Sequence, residues 1–481
     1  MAAALGYDAV MAPFPVASPC PPSRARRGRI PALLAAAALP ALLFGCDGAD
    51  TSSGGSSSTT SAGGAGGSGA GGSGAGGAGG GGDPAPFRLA LSVSPFTGVL
   101  LQSGATFSDG QTTATTESEL QQLYMAHGAN EVFARISTER ATTTAPDDHS
   151  LETALRRAAL AAELGLPFNP ELGLWAHYGD ILCQPPPDFS EYPEITVPGE
   201  WHSLTADQMV PVLRDYAALV AAEILATSVT VNVWDIGNEV DLGMAGVAPT
   251  GMSCSTPYEP PAGVDPAISD LDVLEVILLP EDERITWLST HVWPHQAKLF
   301  AAVVDGIRQV DPSARFSTHM SQSLSASFAV AFYKAMADGG FLPDEVGFSF
   351  YPTASQGPDR AARFRETVES IQTTFSRPVF IAEVAYPSGP ITEGPYQSWT
   401  HALPSHPITP DGQASFFRDL TRWAPVSGVS GIRPWAPDVF VPGWEGMALF
   451  SPPFAGPAAA RPALSVFPEA LTTPDPEAFH D

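Results

Sequence analysis

From Phe87 onward the chain alternates short apolar runs with longer stretches in which apolar residues recur every three or four positions. The apolar runs predict strands over residues 87–95, 131–137, 167–175, 228–237, 314–320, 345–352, 378–387 and 430–438. Between them the helical spacing predicts helices over 117–127, 151–164, 206–226, 290–310, 323–337 and 411–423. In 206–226, for example, Val210, Leu213, Tyr216, Ala217, Val220 and Ile224 share one face. Strands that alternate with helices are parallel with right-handed crossovers, and eight such units close a (β/α)8 barrel, the TIM barrel of the α/β class. An open doubly wound sheet is the alternative, but no G-x-G-x-x-G opens a helix after the first strand, which removes support for a nucleotide site.

In such a barrel the chemistry sits at the C-terminal strand ends. Two predicted strands, VNVWDIGNEV at 231–240 and PVFIAEVAYP at 378–387, run apolar and then reach a glutamate, Glu239 and Glu383. Two carboxyl groups across a cleft are the equipment of glycoside hydrolysis, one donating a proton to the leaving oxygen and one attacking the anomeric carbon. The other strand ends bring Ser92, Ser94, Arg135, Trp175, His177, Asn238, His319, Tyr351, Tyr386 and Trp435 to the same rim. Aromatic faces stack on sugar rings and polar groups orient hydroxyls, so the mixture suits a carbohydrate cleft. Glu239 is expected as acid/base and Glu383 as nucleophile, with Arg135 and Tyr351 keeping Glu383 charged and Asn238 holding a sugar 2-hydroxyl. Trp435 and Trp175 are candidate sugar platforms, and His177 and His319 are candidate contacts. Each has a structural alternative: a rim salt bridge for Arg135, a core-edge ring for Tyr351, loop packing for the tryptophans and a simple hydrogen bond for the histidines.

Residues 1–45 form an address rather than part of the fold. Arg24, Arg26, Arg27 and Arg29 precede an apolar stretch, Ile30 to Phe44, and Leu43-Phe44-Gly45-Cys46 closes it. This resembles a bacterial lipoprotein signal, which implies lipidation at Cys46 and export to the cell envelope or surface on a membrane anchor; an ordinary secretory signal is the alternative. Residues 46–86 are dominated by Gly, Ser, Ala and Thr, a flexible tether with a mean reach of roughly 35 Å. Residues 87–481 then read as one catalytic domain. The formal charge is −28 for the whole chain. Residues 1–45 carry four arginines and one aspartate, so the remainder is still more acidic, at −31. That excludes nucleic acid and anionic polymers as partners and favours a neutral ligand. Cys183 and Cys254 are the pair left outside the leader; in an exported protein they are expected to form a disulfide, and neither has a partner at metal-ligand spacing. The role of the Pro-rich insertion over 241–280 is not readable.

Four segments carry a family resemblance: W-D-I-G-N-E at 234–239, S-F-Y-P at 349–352, A-E-V-A-Y-P at 382–387 and W-E-G-M-A-L-F at 444–450. They resemble clan-A glycoside hydrolases, most closely the arabinogalactan endo-β-1,4-galactanases, in which G-N-E ends strand four, S-Y-Y-P lies on strand six and E-T-x-[YW]-P on strand seven. The resemblance implies a retaining, endo-acting monomer that cleaves polysaccharide. That mechanism requires no cofactor or metal; some members of the family carry structural calcium, but no clear D-x-D-x-D-G loop is present in this sequence. Two departures bear on substrate. Ala90-Leu91-Ser92-Val93-Ser94 stands where the family tends to G-A-D-V-S, and Leu172-Gly173-Leu174-Trp175-Ala176-His177-Tyr178 stands where it tends to S-D-x-W-A-D-P. Mannan, xylan or β-glucan as substrate, or a glycan-binding barrel without activity, are the competing readings.

Overall fold

The computed structural model describes residues 86–142, 148–252, 254, 258–440, 443–452 and 457–481. The leader, Cys46 and the tether lie outside the described residues.

Eight parallel strands form one curled sheet: β1 Arg88–Leu89, β2 Val132–Ile136, β3 Phe168–Leu172, β4 Trp234–Ile236, β5 Phe316–Met320, β6 Glu345–Phe350, β7 Val379–Val384 and β8 Val429–Pro434. The hydrogen-bonded order runs β1, β8, β7 and so on down to β2, which is the (β/α)8 order. The remaining seam, between β1 and β2, is closed largely by side chains. Asn130 Oδ1 accepts from Leu89 N at 2.8 Å, and Ser92 Oγ accepts from Phe133 N at 2.9 Å. A side chain standing in for a ladder bond explains why β1 stops at Leu89, short of the expected run to residue 95. Ser92 is thus a closure residue rather than a cleft contact.

The helices between the strands are α1 Glu117–Ala126, α2 Leu151–Leu164, α3 Ala206–Ala226, α4 Trp293–Val310, α5 Ala326–Asp338, α6 Arg360–Phe375, α7 Pro410–Trp423 and α8 Phe467–Thr472. Five of them start where a hydroxyl can accept the orphan N–H groups: Thr116, Ser150, Thr205, Ser325 and Thr409 cap α1, α2, α3, α5 and α7. Thr205 and Gln208 complete a reciprocal capping box. The helix expected over 290–310 begins instead at Trp293, with Pro294 in its first turn, and a separate helix not expected from the sequence, Glu281–His291, precedes it. A proline has no N–H to continue the ladder, so the chain must restart there.

The apolar helix faces pack on the barrel wall. On α3, Met209, Leu213, Tyr216, Ala217, Val220 and Ile224 are buried, and on α6 the Phe364 ring lies 4.1 Å from Phe350 of β6 with an interplanar angle of 13°. Each fully buried large side chain of this kind stabilises by about 1.5–3 kcal/mol. The 241–280 insertion forms two short 3-10 turns and a helix, Val273–Leu278, beside the β4 end. Cys254 within it is disulfide-bonded to Cys183 of the β3–α3 loop, with a Cα separation of 5.4 Å. Among the described residues no helix is long and apolar enough to cross a membrane.

Candidate active site

The barrel interior is built from the inward positions of strands that are otherwise apolar. Register sets Arg135 beside Glu171, and Glu171 beside Asp235, on β2, β3 and β4. Arg433 of β8 reaches across the barrel to them: Nη1 bonds Glu171 Oε2 at 3.1 Å, and Nη2 bonds Asn169 Oδ1 at 2.5 Å and Asp235 Oδ2 at 3.3 Å. Arg135 in turn bonds Glu171 through Nε and Glu383 through Nη2. The result is a buried chain of alternating charge, Asp235, Arg433, Glu171, Arg135, Glu383, in which every charge has an opposite neighbour. Burying these groups is tolerable only because all are paired, and removing one partner from such a set typically costs about 3–5 kcal/mol.

Glu383 ends β7 as the top member of that chain. Tyr351, just past β6, donates to its Oε2 at 2.6 Å, while Arg135 holds Oε1. Burial pushes the carboxyl up, but Arg135, His319 and Tyr351 together outweigh it and hold Glu383 below the ordinary glutamate value. Glu239 has no such company. Among the described residues its side chain accepts one hydrogen bond, from Ile181 N to Oε2 at 3.3 Å, and is in no ion pair. Burial, then the charges of Glu383, Asp180 and Asp241, raise it to about 8. Two carboxyl groups of one barrel rim are thus pushed apart, one toward the acid and one toward the carboxylate.

Local backbone explains how Glu239 reaches the rim. Gly237 (φ 76°) and Glu239 (φ 47°) both take the left-handed conformation, so the chain turns sharply out of β4. At Gly237 a Cβ would meet a Val240 methyl at 2.3 Å, so no other residue fits. Glutamate at positive φ is strained, and strain of this kind is retained where surrounding contacts fix it. Here Asp241 accepts Ser321 N at 2.7 Å and Gln322 N at 2.8 Å, and Trp293 and Gln296 donate to the carbonyls of Asp241 and Val240 at 2.9 and 2.8 Å.

Asn238 sits between the two glutamates. Its Oδ1 accepts from Arg135 Nη2 and His319 Nε2, both at 2.8 Å, and its Nδ2 donates to Gly179 O at 2.7 Å, leaving one amide hydrogen uncommitted. His319 is wholly buried, with Nδ1 3.7 Å from Asp235 and 3.8 Å from Glu171. It therefore orients Asn238 from behind instead of meeting substrate. Glu171, Asp235 and His319 are close enough to hold a metal ion, but both carboxylates are engaged by Arg433 and Glu171 also by Arg135, so guanidinium groups stand where a cation would.

Several expected sugar contacts are corrected by the packing. Trp175 is wholly buried, its ring seated against Gly173 and Gly179, where any Cβ would come within 2.2 and 2.3 Å. It cannot present a face to a sugar. His177 points out to solvent and pairs with Glu139 at 2.7 Å, away from both glutamates. Tyr386 is buried, bonded to the His406 carbonyl, and Ser94 belongs to a cluster with Thr97 and Asp438. Trp435 remains half-exposed at the β8 end, with the Arg135 guanidinium carbon 4.2 Å from its ring centroid. Sequence reasoning missed Glu171, Asp235 and Arg433, whose signal was a charged residue at an inward position of an apolar strand. It also missed Tyr178, Asp180 and Tyr396, which lie on loops with no period to read. Tyr396 is half-buried against Trp399 and Trp444, at 4.8 and 5.2 Å between ring centroids, and feels the charges of Asp180, Glu383 and Glu239.

A rim that keeps one carboxyl protonated and another ionised, on a (β/α)8 scaffold, is that of a clan-A glycoside hydrolase. The chain belongs to glycosyl hydrolase family 53, whose model matches residues 96–449. Among curated proteins it is similar to an arabinogalactan endo-β-1,4-galactanase of Cellvibrio japonicus (strain Ueda107), 22% identical over 364 residues that cover 74% of this chain and 81% of that one. Among solved structures it resembles the family 53 catalytic domain of Ignisphaera aggregans (TM-score 0.58, 18% identity, 79% of this chain and 96% of that one). It also resembles a structure from a study of two fungal β-1,4-galactanases (TM-score 0.56, 17% identity, 79% and 99%). At these identities the structural likeness speaks for the fold.

Proposed function

We propose that this chain is a retaining glycosidase that cleaves β-1,4-galactan chains, working at the cell envelope from a lipid anchor on Cys46. The observation that carries the mechanism is the opposite charge preference of the two glutamates: Glu239 raised to about 8 and Glu383 held below its ordinary value. Glu383 attacks the anomeric carbon as Glu239 gives its proton to the leaving oxygen; a covalent glycosyl-enzyme forms. Glu239, now a carboxylate, takes a proton from water, and the water oxygen displaces Glu383. Arg135 and Tyr351 hold Glu383 in its charged form, and the remaining Nδ2 hydrogen of Asn238 is placed for the sugar 2-hydroxyl. Trp435 offers a half-exposed ring at the β8 end. The substrate reading rests on family membership together with the activity of the curated relative.

The test is reducing-end release by the full chain from β-1,4-galactan, arabinogalactan, mannan, xylan and mixed-linkage β-glucan. Galactan cleaved with retention of anomeric configuration, as read by proton NMR of the first products, is the expected outcome. Inversion would remove the nucleophile role of Glu383, and cleavage of mannan or xylan alone would remove the substrate. Labelling with radioactive palmitate, lost on Cys46→Ser, tests the anchor.

A further inference from the structure

The β3–α3 loop contains a tight turn that reaches Glu239. Asp180 and Cys183 exchange backbone hydrogen bonds at 2.8 and 3.0 Å, and Asp180 Oδ1 accepts Leu182 N at 2.9 Å. The turn is fixed from two sides. The Cys183–Cys254 disulfide and the Met252 N to Leu182 O bond, 2.8 Å, tie it to the insertion after β4. Gln184 Nε2 ties it to the Asp180 and Asn238 carbonyls, at 3.0 and 2.7 Å. The residue after Asp180, Ile181, donates its backbone N–H to the Glu239 carboxyl at 3.3 Å. Asp180 Oδ2 is left without a partner among the described residues, and the side chain is only partly covered. Tyr178 and Tyr396 both feel the charges of Asp180 and Glu383.

We propose that Asp180 is a specificity-determining residue of the cleft, whose free carboxylate oxygen accepts a hydroxyl hydrogen from a neutral sugar beside the cleaved bond and whose charge turns away sugars carrying a carboxylate. The proposal rests on the galactanase reading above. A built-in anion next to Glu239 and Glu383 rewards a hydroxyl, which can donate, and penalises a uronate, which cannot; discrimination then comes from repulsion as much as attraction. Burial, and Glu383 after it, push Asp180 up to about 6, so at pH 7.5 it carries the charge the proposal needs.

The experiment compares kcat/KM of the full chain at pH 7.5 on β-1,4-galactan and on the same galactan with a fraction of its C6 hydroxyls oxidised to carboxylates. Asp180→Asn keeps the acceptor for Leu182 N, and Asp180→Ala removes the side chain. The ratio of the two substrates does not depend on how much of a variant is folded. The expected result is a fall of about 10-fold or more on neutral galactan for Asp180→Asn, with a similar narrowing of the neutral-to-oxidised ratio. A wild-type enzyme active on galactan whose ratio moves by less than about twofold in both variants would overturn the proposal. So would a wild type that prefers the oxidised chain. If the wild type cleaves a different neutral glycan, the galactan reading fails while the same ratio, taken on that glycan and its oxidised form, still decides Asp180. If it cleaves no glycan, both readings fall.

Discussion

The β4 end and the β7 end of this barrel carry the same side chain and give it opposite properties. Glu383 stands at the end of a six-residue strand, on ordinary extended backbone, with a guanidinium on one oxygen and a phenol on the other. Glu239 stands beyond a three-residue strand, on left-handed backbone, with a backbone N–H at 3.3 Å and acids for neighbours. The first site is built to hold a charge and the second to lose one. What separates a carboxyl raised by its surroundings from one held ionised is therefore Arg135, Tyr351 and the groups behind them, and not the carboxyl groups themselves.

Removing the better-supported member breaks the comparison most. Glu383→Gln is expected to lower kcat by at least about 10⁴-fold, because the proposed mechanism forms the glycosyl-enzyme on this carboxylate; steady-state rates on galactan check it. Glu239→Gln should cost less, about 10²–10⁴-fold, because general acid help is needed in proportion to how poor the leaving group is. An aryl galactoside with an acidic phenol should recover much of the first-step rate in that variant and none in Glu383→Gln.

Tyr351→Phe sharpens the comparison without deleting either carboxyl. Its hydroxyl bond favours the charged form of Glu383, so its loss raises that group, and the acid limb of the kcat/KM profile should move to higher pH with activity at the optimum down by about 10-fold. In the wild type the bell should fall on its basic side near pH 8, where the pair loses the proton centred on Glu239. A basic limb unmoved by Glu239→Gln would separate that titration from this residue.

The smallest effect is on stability. A carboxyl whose folded value, about 8, exceeds its ordinary 4.5 leaves the fold unpenalised below 4.5 and costs stability progressively as pH rises toward 8. Glu239→Gln removes that cost, so the variant should melt a few degrees above the wild type at pH 8 and level with it at pH 4. A constant offset across that range would place the cause in packing instead.

Much of the architecture was legible in the sequence because the barrel strands are largely apolar runs and the helices keep their period. The expected α2 and α3 boundaries coincide with the observed ones. Where the pattern failed, a specific feature replaced it: Ser92 Oγ in place of a ladder bond after β1, and Pro294 setting the start of α4 at Trp293. The two glutamates could be picked out because each ends an apolar run. Trp175 could not be judged, because its slot depends on Gly173 and Gly179 folding around the ring, and burial is a property of both neighbours together.

By itself, then, the order of residues determined the alternation that closes a (β/α)8 sheet, the strand ends where chemistry collects, and the acidic surface that suits a neutral ligand. Only the tertiary structure decided how far burial and neighbouring charge push the two carboxyl groups apart, that Trp175 is packed away while Trp435 keeps part of its ring exposed, and that Glu171 and Arg433 stand behind Arg135. The reason is physical: periodicity is written in neighbours along the chain, whereas a pKa and an exposed ring are set by groups brought from 100 residues away or more, such as the Arg135 that meets Asn238 at |i−j| 103 and Glu383 at 248.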